Sequence, residues 1–188
     1  MSHKKIELSS GKQIHIFDDL YPFHYRSNWY DNATQAWYAP TGNDDFTLEH
    51  KGDFTLWAPI GQFMNKFDVL DHENSAPVRE LIGDSVMDLN QARINLSTLN
   101  DRNRFHVDTI NEPTLTLLYY LNIQWKLEWG GYTLFADDQV EEIEQVVSNR
   151  PGRVVLFDGS IPHCIAAPTS LAPAYRFSLA LKFHQASS

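Results

Sequence analysis

The sequence predicts a mainly β fold with supporting α-helices, the helices packed against a β-sandwich or jelly roll. Three observations carry this. The C-terminal half is a succession of short β-rich runs separated by Gly, Pro, Asn and Asp clusters. Clear helical periodicity is confined to the N-terminal half, and strands that follow helices rather than alternate with them argue against a parallel sheet. Finally, 188 residues that are 43% hydrophobic and 13% aromatic can bury one sizeable core. One domain over residues 1–188 is expected, with ~1–90 supplying supporting helices and strands and ~91–184 the β core.

Along the chain, Lys5–Leu8 and Gln13–Phe17 alternate in polarity around Ser-Ser-Gly-Lys and read as a hairpin. A short helix is expected after Pro22, whereas residues ~40–75 are rich in turn formers and aromatics and give no clear pattern. Ser75-Ala-Pro77 carries the serine and proline of a helix start. Val78, Leu81, Ile82, Val86 and Leu89 then recur at helical spacing, so an amphipathic helix is expected over ~77–90. Strands are expected at Ile94–Leu99, Thr114–Leu121, Tyr132–Phe135, Val154–Phe157 and Tyr175–Phe183.

Bulk charge narrows the partners. A formal net charge of −9 argues against nucleic acid or an anionic membrane as the main partner. No apolar run is long enough to span a bilayer, and no apolar segment follows the basic Met1-Ser-His-Lys-Lys. The single cysteine, Cys164, gives no internal disulfide and fits a reducing compartment, so a cytoplasmic location is expected.

His106-Val-Asp108 is the first chemical motif. On a strand, residues two apart share a face, so both side chains can reach one metal ion. The pair is weak alone, since 8 His and 15 Asp give roughly 0.6 such matches by chance. The competing reading of His106 is a hydrogen-bonded histidine at a strand end. His163 has a better context, for it follows a turn, the apolar run Val154–Phe157 and a second turn, where its ring can point into a barrel mouth. Two imidazoles and one carboxylate are the ligand set of non-haem Fe(II) oxygenases. The remaining histidines (His3, His15, His24, His50, His72 and His184) lack paired spacing and read as surface or packing residues. Cys164 adjoins His163, but consecutive strand residues face opposite ways, so it reads as a small core residue.

Arg176 and Ser178 share one face of the last expected strand. An arginine inside the apolar run Ala174–Phe183 is costly unless its charge is paired, and its planar fork grips a carboxylate bidentately. The alternatives are a salt bridge to one of the 24 acids or an exposed position on the outer sheet face. Around the expected substrate opening, Arg93, Asn95, Arg102, Arg104, Trp125 and Asp158 are candidates. Arg93 and Asn95 alternate on the strand before the metal motif, which would suit a polar or anionic small molecule.

Taken together, Arg104-Phe-His-Val-Asp108, Leu118-Tyr-Tyr-Leu-Asn122-Ile-Gln-Trp125, Trp129-Gly-Gly131-Tyr-Thr-Leu-Phe135, Pro151–Phe157, His163 and Tyr175-Arg-Phe-Ser-Leu179 resemble the 2-oxoglutarate/Fe(II) dioxygenases of the prolyl-hydroxylase-like group. The likeness covers ~93–183 in order and spacing. It implies a distorted double-stranded β-helix of the jelly-roll or cupin type. It also implies an enzyme, a hydroxylase using Fe(II), 2-oxoglutarate and O2, with ascorbate as an auxiliary reductant. By resemblance His106, Asp108 and His163 bind iron. Arg176 binds the distal carboxylate of 2-oxoglutarate, Tyr120 donates to it, Ser178 assists, and Thr133 lines the same pocket.

There are departures. The His163–Arg176 interval is longer than in prolyl hydroxylases, and Tyr132 stands where an acidic residue is common after the paired glycines. Both point away from a prolyl peptide. Retained Asp108 disfavours halogenation, because halogenases carry a small residue there. The expected substrate is a small molecule or a peptide or protein side chain. The rival readings are a non-catalytic metal- and 2-oxoglutarate-binding sensor module and a nucleic-acid demethylase, the latter opposed by the acidity.

Overall fold

Strand-forming runs pair in sequence-local hairpins and longer antiparallel returns, and they sort into two facing sheets. The computed structural model describes residues 1–40, 54–57, 59–83, 87–101, 103–109 and 114–185. Along them run β1 (Ser2–Glu7), β2 (Gln13–Asp18), α1 (Phe23–Thr34), β3 (Ala39–Pro40), β4 (Phe54–Trp57), α2 (Ile60–Met64), α3 (Ala76–Ile82), β5 (Met87–Ser97) and β6 (Thr114–Tyr120). These are followed by β7 (Thr133–Ala136), β8 (Ile143–Val147), β9 (Val154–Asp158), β10 (His163–Ile165) and β11 (Arg176–Gln185). The major sheet has the order β1-β2-β9-β6-β11-β5-β4-β3 and the minor sheet β10-β7-β8. Among the described residues every strand pair is antiparallel.

The two-residue period of the central strands divides the core into two halves. On β11, Phe177, Leu179, Leu181 and Phe183 face the helices, and Leu117 and Tyr119 of β6 join them. Helix α1 is pinned there by Trp29, which is fully buried and donates from Nε1 to Asp68 Oδ1 at 2.9 Å. Edge-to-face packing of Trp29 on Tyr21 and Tyr119, with centroids 4.9 and 5.4 Å away, fixes its approach. On the opposite face, Ile14, Ile16, Leu118, Tyr120, Val155, Phe157 and Ala180 meet Phe135 and Val147 of the minor sheet. That inter-sheet space is where the metal motif and Arg176 project. The minor sheet covers β2, β9 and β6, so the polar inward row of β5 (Gln91, Arg93, Asn95) is only half buried.

Several expectations are corrected. The helix expected over ~77–90 stops at Ile82, because Gly83 takes φ 77° and its N–H closes on Arg79 O at 2.8 Å. Leu89 belongs instead to β5, which begins at Met87 and ends at Ser97, well before Leu99. Val86 lies outside the described residues. The hairpin, the helix after Pro22 and the strands at 114–121, 132–135, 154–157 and 175–183 stand within a residue or two, except that β1 starts at Ser2 and β11 runs to Gln185.

Candidate active site

His106 sits in no extended strand. It is held by an isolated bridge to His163, through His106 N–H to His163 O (3.0 Å) and His163 N–H to His106 O (2.9 Å). Two residues on, Asp108 N–H bonds Gly159 O at 2.7 Å. This short ladder, closed by the turn before β10, brings His106, Asp108 and His163 together, with one donor atom from each within 4.8 Å of the others. Among the described residues this is the one such cluster of three.

The imidazoles are oriented for a cation. His163 Nδ1 lies 2.9 Å from Ile161 O and His106 Nδ1 lies 3.1 Å from Arg104 O. A carbonyl can only accept, so each Nδ1 carries the proton and each Nε2 lone pair is left facing Asp108. Nε2 of His106 is 3.8 Å from Asp108 Oδ1 and that of His163 is 3.7 Å from Oδ2. Burial first of all lowers the His163 pKa, to about 4, so the ring is neutral at neutral pH. Burial alone would raise Asp108; His163 and Lys182 and the hydrogen bonds from Lys182 and Thr116 outweigh it and hold the carboxyl below its ordinary range. A carboxylate beside two imidazoles whose Nδ1 atoms are anchored on backbone carbonyls fits a divalent cation. His106 is half exposed while the other two are buried, so the cluster opens on its His106 side.

The arginine pocket lies on the same inward face. Arg176 is fully buried; Nε donates to Gly131 O at 2.9 Å and Nη1 to Ser178 Oγ at 3.0 Å, while Nη2 has no partner. Its guanidinium lies over the Tyr120 ring at 5.1 Å. Burial lowers its pKa, yet a guanidinium stays cationic in proteins. Burial likewise raises that of Tyr120, whose neutral hydroxyl is 2.8 Å from Thr133 Oγ1. A buried cation facing neutral dipoles, with its Nη2 amino group unused, fits a carboxylate ligand. Gly131 makes the close approach feasible, for at φ 70° a Cβ there would stand 2.9 Å from Arg176 Cδ. The 164–174 insert packs on this loop through Thr169 N–H to Trp129 O (2.9 Å) and Ala166 N–H to Tyr132 O (2.8 Å).

Of the other candidates, Asn95 pairs with Ser178 and Arg93 with Ala180 across β5 and β11, so both face inward. Trp125 is half buried beside Gly131 and donates from Nε1 to Gly130 O at 2.9 Å, acting as a wall of the arginine pocket. The Arg104 side chain is exposed. Asp158 ends β9 and braces the turn that follows, accepting from Ser160 N at 2.8 Å and Oγ at 2.6 Å. Arg102 lies outside the described residues. Cys164 is buried, as expected of a core residue.

Two groups were missed by sequence reasoning. Thr116 Oγ1 donates to Asp108 Oδ2 at 2.5 Å, and Lys182 Nζ lies 2.6 Å from Oδ1. Lys182 was detectable, since Arg176-x-Ser178-x-Ala180-x-Lys182 keeps the two-residue period.

Comparisons with known proteins agree with this geometry. Residues 93–184 match the family model described as the 2OG-Fe(II) oxygenase superfamily. Among solved structures, a prolyl hydroxylase from Trichoplax adhaerens, in complex with a hypoxia inducible factor oxygen degradation domain peptide fragment, superposes with TM-score 0.68. It is 15% identical, over 91% of this chain and 83% of that one. A Pseudomonas putida prolyl-4-hydroxylase gives TM-score 0.65 and 17% identity over 92% of each chain. SnoN, a non-heme alpha ketoglutarate dependent epimerase from nogalamycin biosynthesis, gives 0.67 and 14% over 93% and 79%. No curated protein matches significantly. The fold is thus the double-stranded β-helix, and over residues 93–184 the chain matches the 2OG-Fe(II) oxygenase superfamily, which indicates a 2-oxoglutarate/Fe(II)-dependent oxygenase.

Proposed function

We propose that His106, Asp108 and His163 hold one Fe(II) and that Arg176, helped by Ser178, Tyr120 and Thr133, binds the distal carboxylate of 2-oxoglutarate. The reaction is hydroxylation of a C–H bond in a small molecule or a peptide or protein side chain, with release of succinate and CO2. The carrying observation is the fully buried Arg176, its Nη2 amino group without a partner, on the inward face that also bears the metal cluster. When bound, iron and 2-oxoglutarate supply the oxidative decarboxylation that couples O2 to C–H oxidation.

The chain's own residues do the positioning. Ile161 O and Arg104 O fix the two imidazole tautomers, while Thr116, through a hydrogen bond, and Lys182, through an ion pair, orient the Asp108 carboxylate. Arg176 cannot swing, because Gly131 O, Ser178 and the Tyr120 ring hold it in place. An acid bound there is therefore aligned in advance, which lowers the entropic part of the barrier. Phe135 and Phe157, both buried beside His163, exclude water from its inner side. Prolyl hydroxylases among the similar folds support peptide substrates, and the epimerase supports small molecules.

The test is succinate formation. Purified protein with Fe(II), 2-oxoglutarate and O2 should slowly release succinate without added substrate, and Arg176→Met should not. Tight 2-oxoglutarate binding with no succinate at any protein concentration would instead identify a sensor module. Dependence of that rate on ascorbate would define its auxiliary role.

A further inference from the structure

Thr116 and Lys182 stand directly opposite each other on β6 and β11, and both side chains reach the same carboxylate. Thr116 Oγ1 donates to Asp108 Oδ2 at 2.5 Å, and the Lys182 ammonium lies 2.6 Å from Oδ1. Both charges are withdrawn from water, the Lys182 side chain being 16% exposed and that of Asp108 2%. A buried ion pair of this kind adds little to stability, because desolvation of the two charges offsets their attraction. With a divalent ion on Asp108 the carboxylate already has a counter-charge, so folding of the loaded chain does not require the lysine.

The three ligands of the metal cluster are supported unequally. The imidazoles of His106 and His163 rest on backbone carbonyls, Arg104 O and Ile161 O, which draw on the ring protons and make each Nε2 a stronger donor. Asp108 is treated in the opposite way. A hydroxyl and an ammonium take up electron density from its two oxygens, which makes it a weaker donor. Of these outer partners Lys182 alone carries a formal charge. Loss of one electron from a bound Fe(II) adds a positive charge next to that fixed ammonium, where screening by water and salt is weak. The weaker carboxylate and the fixed charge therefore act with the same sign, each opposing the ferric ion more than the ferrous.

We infer that Lys182 is a positioning residue that acts through Asp108 to keep the bound iron ferrous. The inference rests on the oxygenase reading above and specifies how that site controls the oxidation state of its metal.

The test is the midpoint potential of the Fe(III)/Fe(II) couple in the full chain loaded with iron, poised anaerobically with one-electron mediator dyes. The ferric signal in electron paramagnetic resonance reports it, without 2-oxoglutarate, substrate or turnover. Each Fe(II) that is oxidised gives one electron to the mediator. Lys182→Met should lower the midpoint by at least about 59 mV, a tenfold rise in the ratio of Fe(III) to Fe(II) affinity. Lys182→Arg retains the charge and should stay within about threefold of the wild type in that ratio. Thr116→Val removes a hydrogen bond from the same carboxylate but no charge, and should change the ratio less than Lys182→Met does. An unchanged potential in folded, iron-loaded Lys182→Met overturns the inference, as does an equal fall in Lys182→Arg or in Thr116→Val. Folded Lys182→Met and Lys182→Gln that no longer hold iron overturn it too, since Lys182 would then serve metal retention rather than oxidation state. If the wild-type chain takes up no iron, or folded His163→Ala takes it up unchanged, the oxygenase reading falls and this inference falls with it.

Discussion

Replacing Arg176 with methionine should separate ligand binding from stability, moving them in opposite directions. The guanidinium is fully buried with two neutral acceptors and one unbonded nitrogen. Exchanging an uncompensated buried charge for an apolar chain of similar volume is neutral or stabilising by up to ~4 kcal/mol. Against this, Gly131 O and Ser178 Oγ each lose a partner, costing about 1 kcal/mol apiece. The ligand-free variant should thus be unchanged or up to ~2 kcal/mol more stable, which for this length is up to about 8 °C in Tm. Truncating the buried charged partner of an acid costs about 2–5 kcal/mol, and with Tyr120 and Ser178 still present ~3 kcal/mol is reasonable, or ~150-fold in Kd. At 2-oxoglutarate about 100-fold above the wild-type Kd, ligand stabilisation of ~2.7 kcal/mol should shrink to ~0.3 kcal/mol. Thermal melts of Mn(II)-loaded protein with and without 2-oxoglutarate measure both effects. A variant that melts far below the wild type, or keeps its full ligand shift, would refute the reasoning.

Other perturbations probe the same frame. Gly131→Ala places a Cβ 2.9 Å from Arg176 Cδ at φ 70°, so calorimetry should find weaker 2-oxoglutarate binding with unchanged metal stoichiometry. Tyr120→Phe removes the bond to Thr133 and a donor facing the pocket; about 1 kcal/mol, or roughly fivefold in Kd, is expected. For pH, the folded His163 pKa of about 4 lies below the ordinary 6.5, so unfolded chains bind more protons and stability is lost as pH falls from 6.5 toward 4. That depression corresponds to ~3 kcal/mol in the metal-free protein, and urea titrations of His163→Gln should show a shallower loss.

The sequence revealed the site better than its frame. Arg176 and Ser178 were legible because strand periodicity puts every second residue on one face, whereas His106, Asp108 and His163 stood out as a ligand set, the structure holding His106 in an isolated bridge rather than a strand. The end of α3 was not legible, since Leu89 continues an apparent helical stripe although Gly83 has already broken the helix and β5 begun. Strand β4 and helix α2 were missed because residues ~40–75 mix turn formers with aromatics, and β8 because its largely exposed Ile-Glu-Gln-Val-Val shows no buried alternation. Lys182 escaped notice because a lysine near a strand end looks like solvated surface, whereas its contact with Asp108 comes from a different part of the chain.

The assignment of His106, Asp108 and His163 as the metal site is tested most directly by anaerobic Fe(II) titration of the wild type, Asp108→Ala and His163→Ala. The wild type should bind one ion per chain and gain affinity for 2-oxoglutarate when loaded, while both variants, though folded, should lose tight binding and that gain. Wild-type stoichiometry and affinity in folded Asp108→Ala and His163→Ala would contradict the assignment.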